Sequence, residues 1–301
     1  MNKLTYNIAA VERDTGLSKD VLRVWERRYG FPEPTRDLNG ERCYPLVQVE
    51  RLCLIKRLID QGHRPGKLIH ASVEQLANFA PKRMPQGALP PAISTREELS
   101  RLLQFIKQHD AGGYQEAMQQ HLARHGMESF IQEIVAMLTQ LVGVAWEKGE
   151  IEVFEEHLFS ELTRRQLRQI IAGLSTGNAR RPRIILTTVP DEPHELGLLM
   201  AEAVLALEGA ECIPLGTQTP LLDICRAAKA HQADIVALSF SMAFHYRRIP
   251  SLLQQLRTML GDKTALWAGG AVVSHLDPIE GIRLLATLPE TREALANLRA
   301  Q

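Results

Sequence analysis

The chain has 301 residues, of which 45% are hydrophobic and 23% are charged, and its formal net charge is zero. This length predicts two or three domains, and the composition is typical of a globular protein. The four cysteines form no C-x-x-C pair, which fits a reducing cytosol and argues against a structural zinc site. The N-terminus lacks a signal-peptide pattern, and the longest apolar run, residues 235–244, is too short to span a membrane. We expect a cytoplasmic protein with no membrane partner.

The zero net charge hides an asymmetry along the chain. Residues 1–70 hold 13 Lys/Arg against 9 Asp/Glu, whereas the remainder holds 22 against 26. A basic segment on a near-neutral chain indicates an anionic partner for that segment alone. The excess is modest, so charge by itself leaves both nucleic acid binding and a solvated basic surface open.

Composition divides the chain into four blocks. Residues 1–78 are helical and basic, and residues 79–95 are a proline-rich linker, since proline bars helix continuation. Residues 96–178 repeat apolar side chains at spacings of three and four, which predicts a small four-helix bundle. In residues 179–301 short apolar runs alternate with helical stretches, a pattern typical of a Rossmann-like parallel sheet. The predicted fold is multidomain, combining α and α/β parts.

The first block has the pattern of a helix-turn-helix with a wing. Asn7 and Ser18 can each cap a short helix, and Gly16 separates the two helices. Asn39-Gly40 predicts a tight type I′ hairpin after the second helix, because both residues tolerate positive φ. Polar and basic residues of the second helix and the hairpin are the candidate DNA contacts: Lys19, Arg23, Arg27, Arg28, Tyr29, Arg36 and Arg42.

Residues 5–70 resemble the DNA-binding domain of the MerR family, in the subgroup that reads R-x-W-E-x-R-Y-G-x-P-x-P-x-R and then G-x-R-x-Y. The matching residues are Arg23, Trp25, Glu26, Arg28, Tyr29, Gly30, Pro32, Pro34, Arg36, Gly40, Arg42 and Tyr44. The resemblance implies a homo-oligomer, a dimer or tetramer, that binds double-stranded promoter DNA. It places Arg23 and its helix in the major groove and the wing on the phosphates. A regulator bound to a promoter is also expected to compete with RNA polymerase or to contact it.

A loop rich in functional side chains follows the first predicted strand of the C-terminal block. In open parallel sheets ligands bind beyond the carboxyl ends of the strands, where His194 is expected. A neutral imidazole can ligate a metal there, and Glu192, two residues earlier, can orient the other ring nitrogen. Gly197 lets a ligand approach the backbone closely. A single histidine at a strand end is also common as a cap or surface residue.

Three motifs at fixed spacing resemble the cobalamin-binding pattern D-x-H-x-x-G, S-x-L and G-G. Gaps of 41 and 27 residues separate the motifs, which comprise Glu192, His194, Gly197, Ser239, Ser241, Gly269 and Gly270. The resemblance implies that His194 is the metal ligand beneath cobalt and that the nucleotide tail of cobalamin lies in a groove lined by the serines and glycines. Two residues depart from the pattern: Glu192 stands for aspartate, and Ser241 for leucine. A flavodoxin-like domain without a cofactor is the alternative.

The helical block contains Trp146 and, after nine residues, Glu156-His157. This W-x9-E-H pattern resembles the CarH/LitR-type light-sensing regulators, whose bundle covers the upper face of adenosylcobalamin. The resemblance implies that these three side chains line the adenosyl group, for which an aromatic plane is suited. Glu147 stands where the photoreceptors carry the histidine that ligates cobalt after light cleaves the cobalt–carbon bond. Glu147 is therefore a candidate cofactor contact that offers a carboxylate in place of an imidazole. Because this histidine is missing, the sequence leaves the light response open.

These patterns together predict a non-enzymatic regulator whose DNA affinity depends on bound cobalamin, with adenosylcobalamin as the expected form. The resemblance to the light-sensing regulators implies a repressor, and it implies a response to light through cleavage of the cobalt–carbon bond if light is sensed. One alternative is a light-independent regulator that senses cobalamin or binds no cofactor. Another is a cobalamin-dependent methyltransferase or mutase component. The basic N-terminal block and the lack of a substrate barrel argue against an enzyme.

Overall fold

The computed structural model describes residues 5–37, 40–60, 63–72, 75–76, 93–174 and 181–299. The chain divides into two compact units: the first contains the predicted helix-turn-helix together with residues 147–150, and the second contains the parallel sheet and the rest of the helical bundle. Asn39 of the predicted hairpin turn and residues 79–92 of the predicted linker lie outside the described residues. The first bundle helix begins at Ile93, inside the predicted linker.

The N-terminal unit combines helices with a three-stranded antiparallel sheet. The elements are β1 (Thr5–Asn7), α1 (Ile8–Thr15), α2 (Lys19–Tyr29), β2 (Thr35–Arg36), β3 (Arg42–Pro45), α3 (Leu46–Asp60) and α4 (Pro65–Leu68). The strand order is β1-β3-β2. The pairing of β2 with β3 is the predicted hairpin, whereas β1 has only three residues, too few for a periodic signal.

The predicted caps fix the starts of α1 and α2. The side chain of Asn7 accepts a hydrogen bond from the amide of Ala10 at 2.8 Å, and the Ser18 hydroxyl accepts one from the amide of Val21 at 3.3 Å. Each bond satisfies a backbone donor that the first helical turn leaves unpaired. Gly16 ends α1 in the left-handed conformation, with φ of 69°. The turn between the two helices is thus set by local sequence.

The bundle of the C-terminal unit consists of α5 (Ile93–Lys107), α6 (Ala111–Ser129), α7 (Ala136–Glu147) and α8 (Val153–Gly173). A π-helical segment, Phe130–Val135, joins α6 to α7, and Gly126, with φ of 75° and ψ of 168°, breaks the helical path within α6. The stretch 111–147 is long and apolar enough to cross a membrane by length and composition alone. Its apolar side chains nevertheless form the bundle core, as Phe130 and Leu138 illustrate with no exposed surface.

The strands of the C-terminal unit are β4 (Arg183–Thr187), β5 (Glu211–Gly216), β6 (Ile235–Ser239), β7 (Ala265–Gly269) and β8 (Ile282–Leu285). They form a sheet that is parallel throughout, in the order β5-β4-β6-β7-β8. Its helices are α9 (Leu196–Leu207), α10 (Leu221–Ala230), α11 (Ile249–Leu260) and α12 (Leu288–Arg299). The sequence predicts the first four strands but misses β8, a four-residue edge strand. Leu199 and Met200 of α9 share one apolar core with the bundle, so α9 joins bundle to sheet.

Two phenylalanines of α8 give a matched test of this packing. Phe159 is 1% exposed in the bundle core, whereas Phe154 is 57% exposed. We expect Phe159→Ala to lower the free energy of unfolding of the C-terminal unit by about 3–5 kcal/mol, because it leaves a cavity. Phe154→Ala should change it by about 0.5 kcal/mol or less. Urea unfolding of the full chain, followed by circular dichroism, measures both; equal effects would contradict the packing described here.

Candidate functional site

A buried carboxylate holds His194 just beyond the end of β4. Glu192 is 1% exposed, and its Oε1 lies 2.6 Å from Nδ1 of His194 and 3.1 Å from the backbone amide nitrogen of His194. The imidazole itself is 55% exposed. Because Nδ1 is engaged by the carboxylate, Nε2 is the ring nitrogen suited to coordinate a metal. The strand-end loop thus presents an oriented imidazole, as the sequence predicts.

Ser241 completes the arrangement from the loop after the neighbouring strand. Its amide donates a hydrogen bond to Oε2 of Glu192 at 2.8 Å, and its hydroxyl donates to the same oxygen at 2.9 Å. The hydroxyl also lies 3.0 Å from Nδ1 of His194. Parallel pairing of β4 with β6 brings the two loops together. The serine that departs from the cobalamin pattern therefore supplies a donor to Glu192.

The carboxylate of Glu192 is ionised at neutral pH. Burial acts to raise its pKa, but the hydrogen bonds from His194 and Ser241 outweigh burial and leave the pKa below its usual value. An ionised carboxylate accepts only, so Nδ1 of His194 carries the proton that points at it. The lone pair of the neutral ring then lies on Nε2, as metal coordination requires.

Three glycines of the predicted cobalamin pattern pack closely against neighbouring residues at this edge of the sheet. A Cβ added to Gly197, at the start of α9, would lie 3.0 Å from the hydroxyl oxygen of Ser239. Gly270 has φ of 115°, and a Cβ there would lie 2.1 Å from the carbonyl oxygen of Phe240, so no other residue fits. Gly269 precedes it at the end of β7. Ser239, Gly269 and Gly270 thus lie at the carboxyl ends of β6 and β7, and Gly197 packs against Ser239 from the first turn of α9.

The bundle residues expected to face the upper ligand lie around the turn between α7 and α8. Trp146 is partly buried against the bundle core, and Glu147 ends α7, with a pKa that burial raises. On α8, Oε2 of Glu156 lies 2.8 Å from Nδ1 of His157, and the Ser160 hydroxyl donates to Oε1 at 2.7 Å. The His157 side chain is 72% exposed. The bundle therefore offers a second carboxylate-oriented imidazole.

An ion-pair cluster that sequence reasoning missed links the bundle to the His194 loop. Glu195 directly follows His194, and its Oε1 accepts a hydrogen bond from Nη2 of Arg168 at 2.6 Å. Nε of Arg164 lies 2.8 Å from Oε2 of the same carboxylate. Both arginines belong to α8, the helix that carries His157. Such a pair leaves no local signal, because its members lie about 30 residues apart in the chain.

The second helix of the N-terminal unit separates an apolar face from a basic one. Leu22 and Trp25 are buried in the core of this unit, and Val21 packs against them. Three expected DNA contacts, Arg23, Arg27 and Arg28, are exposed on the other face. Two more, Lys19 and Tyr29, are partly buried at the ends of the helix. Nη1 of Arg23 lies 3.2 Å from Asp20 in an exposed ion pair, which contributes little to stability.

The wing is tied to this helix by Arg42. Its Nε donates a hydrogen bond to Oε2 of Glu26 at 2.9 Å, and both side chains are about 30% exposed. Arg36 of the opposite strand donates to the carbonyl oxygen of Gly40 within the hairpin. The phosphate contacts expected of both arginines stay predictions. The sequence did not predict the link between Arg42 and Glu26, which fixes the wing beside α2.

Comparison with known proteins assigns each part of the chain to a family. Residues 6–70 match the MerR HTH family regulatory protein, and residues 98–171 and 182–282 each match a family described as a B12 binding domain. The structure also resembles the monomethylamine corrinoid protein of Methanosarcina barkeri, with a TM-score of 0.55 and 19% identity. That similarity covers 68% of this chain and 99% of the corrinoid protein, and it supports the fold alone.

Two repressors of Myxococcus xanthus match nearly the whole chain. The HTH-type transcriptional repressor CarH is 32% identical over 280 residues, which are 91% of this chain and 92% of CarH. The HTH-type transcriptional repressor CarA is 29% identical and covers 92% of this chain and 90% of its own length. The predictions of a non-enzymatic, cytoplasmic, cobalamin-binding regulator are confirmed. The chain belongs to the CarH-like family of MerR transcriptional repressors, in which B12-binding domains control a DNA-binding domain.

Proposed function

We propose that this protein is a repressor whose operator binding depends on adenosylcobalamin, with Nε2 of His194 as the lower cobalt ligand. The observation that carries the proposal is the buried Glu192 carboxylate, which fixes the imidazole through Nδ1 at 2.6 Å. The glycines of the cobalamin pattern support the proposal by position, since Gly197 follows His194 by three residues and Gly269, with Gly270 directly after it, ends the strand β7. A ligand shifts an equilibrium only through its different affinities for two states. The cofactor acts here by binding tightly only when bundle and sheet are packed together.

The polar bundle residues support the adenosyl form over the methyl form. Trp146 offers an aromatic plane, and Glu156 and His157 offer hydrogen-bonding groups near the start of α8. An adenosyl group has hydroxyls and ring nitrogens for such partners, whereas a methyl group has none. We expect these three side chains to contact the upper ligand because their aromatic and hydrogen-bonding groups match those of an adenosyl group.

The ion pairs of Glu195 supply a route by which the two faces of the cofactor communicate. His157 and Arg164 are seven residues apart on α8, which is about 10 Å along a helix. The helix that would contact the upper ligand is therefore bound to the loop that would supply the lower one. A shift of this helix at one face of the cofactor would therefore move the loop at the other face.

Repression is then controlled through assembly. Association of cofactor-loaded chains into a dimer or tetramer pairs two DNA-binding domains and raises operator affinity through effective concentration. A repressor that covers a promoter in this way excludes RNA polymerase from it, or contacts the polymerase and blocks transcription. In the light-responsive form of this proposal, cleavage of the cobalt–carbon bond by light would release the assembly. A second candidate, a repressor that senses cobalamin without responding to light, is favoured by Glu147, which stands in place of the upper histidine of the photoreceptors.

Absorption spectra of the cofactor-loaded protein test the lower ligand. His194→Ala should shift the dark spectrum, because water replaces a nitrogen donor, and should lower cofactor affinity by at least about tenfold. His231→Ala, outside the site, is the matched control and should leave both unchanged. Identical spectra for His194→Ala and the parent would contradict the proposal. A spectrum of the parent that is altered by green light favours the light-responsive form, and an unaltered one favours the second candidate.

The pH dependence of stability tests the charge on Glu192. Its pKa is lowered on folding, so ionised Glu192 stabilises the fold above the ordinary carboxyl pKa, and this stabilisation is lost as pH falls through the lowered value. Glu192→Gln should therefore be less stable than the parent at about pH 7, and the difference should shrink as pH falls below about 4.5. Thermal unfolding of the cofactor-free proteins measures it. A difference that stays constant with pH would show that the charge is irrelevant.

Operator binding tests the docking of α2. Arg23→Ala should cost about 1–3 kcal/mol in affinity for the operator and much less for unrelated DNA. Arg226→Ala is a matched control in the sheet domain, because Arg226 is also exposed and also pairs with an aspartate three residues earlier. Fluorescence anisotropy with labelled duplexes measures both variants. Equal losses from the two substitutions would rule out a specific role for Arg23.

A further inference from the structure

A cluster of metal-ligating side chains lies in the bundle, apart from the cobalamin site. Glu98 of α5 meets His121 and His125 of α6, and one ligand atom from each lies within 4.8 Å of the other two. The histidines are four residues apart, one helical turn, so they share a face of α6. None of the cobalamin motifs includes these residues.

His121 has a buried nitrogen that lacks a partner. The residue is 8% exposed, and its Nδ1 has no hydrogen-bond partner among the residues that the structure describes. Oε2 of Glu98 lies 3.9 Å from this nitrogen, beyond hydrogen-bonding distance. A buried nitrogen left without a partner is costly, and most such atoms in proteins are satisfied. The nitrogen points to a ligand between the two helices.

The surroundings of His121 favour its neutral imidazole, the form that binds a metal. Burial lowers the pKa of His121; Glu98 opposes this effect, and His125, Arg124 and Arg101 reinforce it. The rings of His121 and His125 stack, with centroids 5.8 Å apart and planes 22° apart, so two protonated rings would repel each other. A neutral imidazole is a metal ligand. The two arginines are exposed, and their charge is screened by solvent.

We propose that Glu98, His121 and His125 bind a divalent transition-metal ion, zinc by preference, with water as a fourth ligand. Two imidazole nitrogens and one carboxylate oxygen are a common donor set for tetrahedral zinc, with bonds of about 2.0–2.2 Å. Such bonds bring the ligand atoms closer together than they now lie. His125 and Glu98 are both partly or fully exposed, so their side chains rotate inward without disturbing the core.

The ion cross-links α5 to α6 immediately before the break at Gly126. The helices that follow this break lead to Trp146. Zinc therefore restrains the bundle at the end where the helical path is interrupted. This site is independent of the cobalamin proposal, and either can fail without the other.

Isothermal titration of the full chain with zinc sulfate, after chelator treatment and in the absence of corrinoid, tests the site. We expect about one zinc per chain, bound at least about tenfold more weakly by His125→Ala and by Glu98→Gln. Both substitutions lie outside the bundle core, so the variants should fold, and their binding of cobalamin reports that they do. His231→Ala is the control and should bind zinc as the parent does. Zinc should raise the melting temperature of the parent but not of His125→Ala.

Three results would overturn the proposal. These are equal zinc binding by the parent and His125→Ala, no zinc binding by the parent, and loss of binding in His194→Ala alone, which would assign the zinc to the loop after β4.

Discussion

The geometry of the candidate cobalamin site depends on one buried charge, the Glu192 carboxylate. A carboxylate inside a protein must be met by donors, because desolvation otherwise favours its neutral form. His194 and Ser241 supply those donors from two adjacent strand-end loops. The hydrogen bonds that the buried carboxylate requires therefore fix which imidazole nitrogen carries the proton and how the ring is oriented. They also hold the two loops together. A strand-end histidine, ordinary by itself, thereby becomes an oriented imidazole suited to coordinate a metal.

The same loop gives the site its link to the bundle. Glu195 follows His194 and binds Arg164 and Arg168, while α9, which begins at the next residue, shares its apolar core with the bundle. Ion pairs hold the loop to α8 on one side, and apolar packing of α9 against the bundle holds it on the other. The bundle cannot shift without disturbing the residue next to the proposed lower ligand. Such a connection is what a sensor needs, since a cofactor can act only on an element whose position it biases.

Local sequence was sufficient for much of this architecture. The caps at Asn7 and Ser18, four of the five parallel strands and the Glu192–His194 pair follow from residue type and spacing, because each involves neighbours in the chain. The missed features, by contrast, are β1, β8 and the contacts of Glu195 and of Arg42 with Glu26. They are either too short to show periodicity or joined across long stretches of chain, and such pairing is decided by packing. The role of Ser241 was likewise visible only once β4 and β6 were neighbours.

Electron paramagnetic resonance of the cobalt(II) form of the bound cofactor tests the central claim most directly. A single axial nitrogen splits the cobalt lines into triplets when it is ¹⁴N and into doublets when it is ¹⁵N. The full chain, labelled with ¹⁵N only at histidine and loaded with unlabelled cobalamin, should give doublets that are absent in His194→Ala. Triplets in the labelled protein would mean that the benzimidazole of the cofactor still occupies the lower position, and the role assigned to His194 would be wrong.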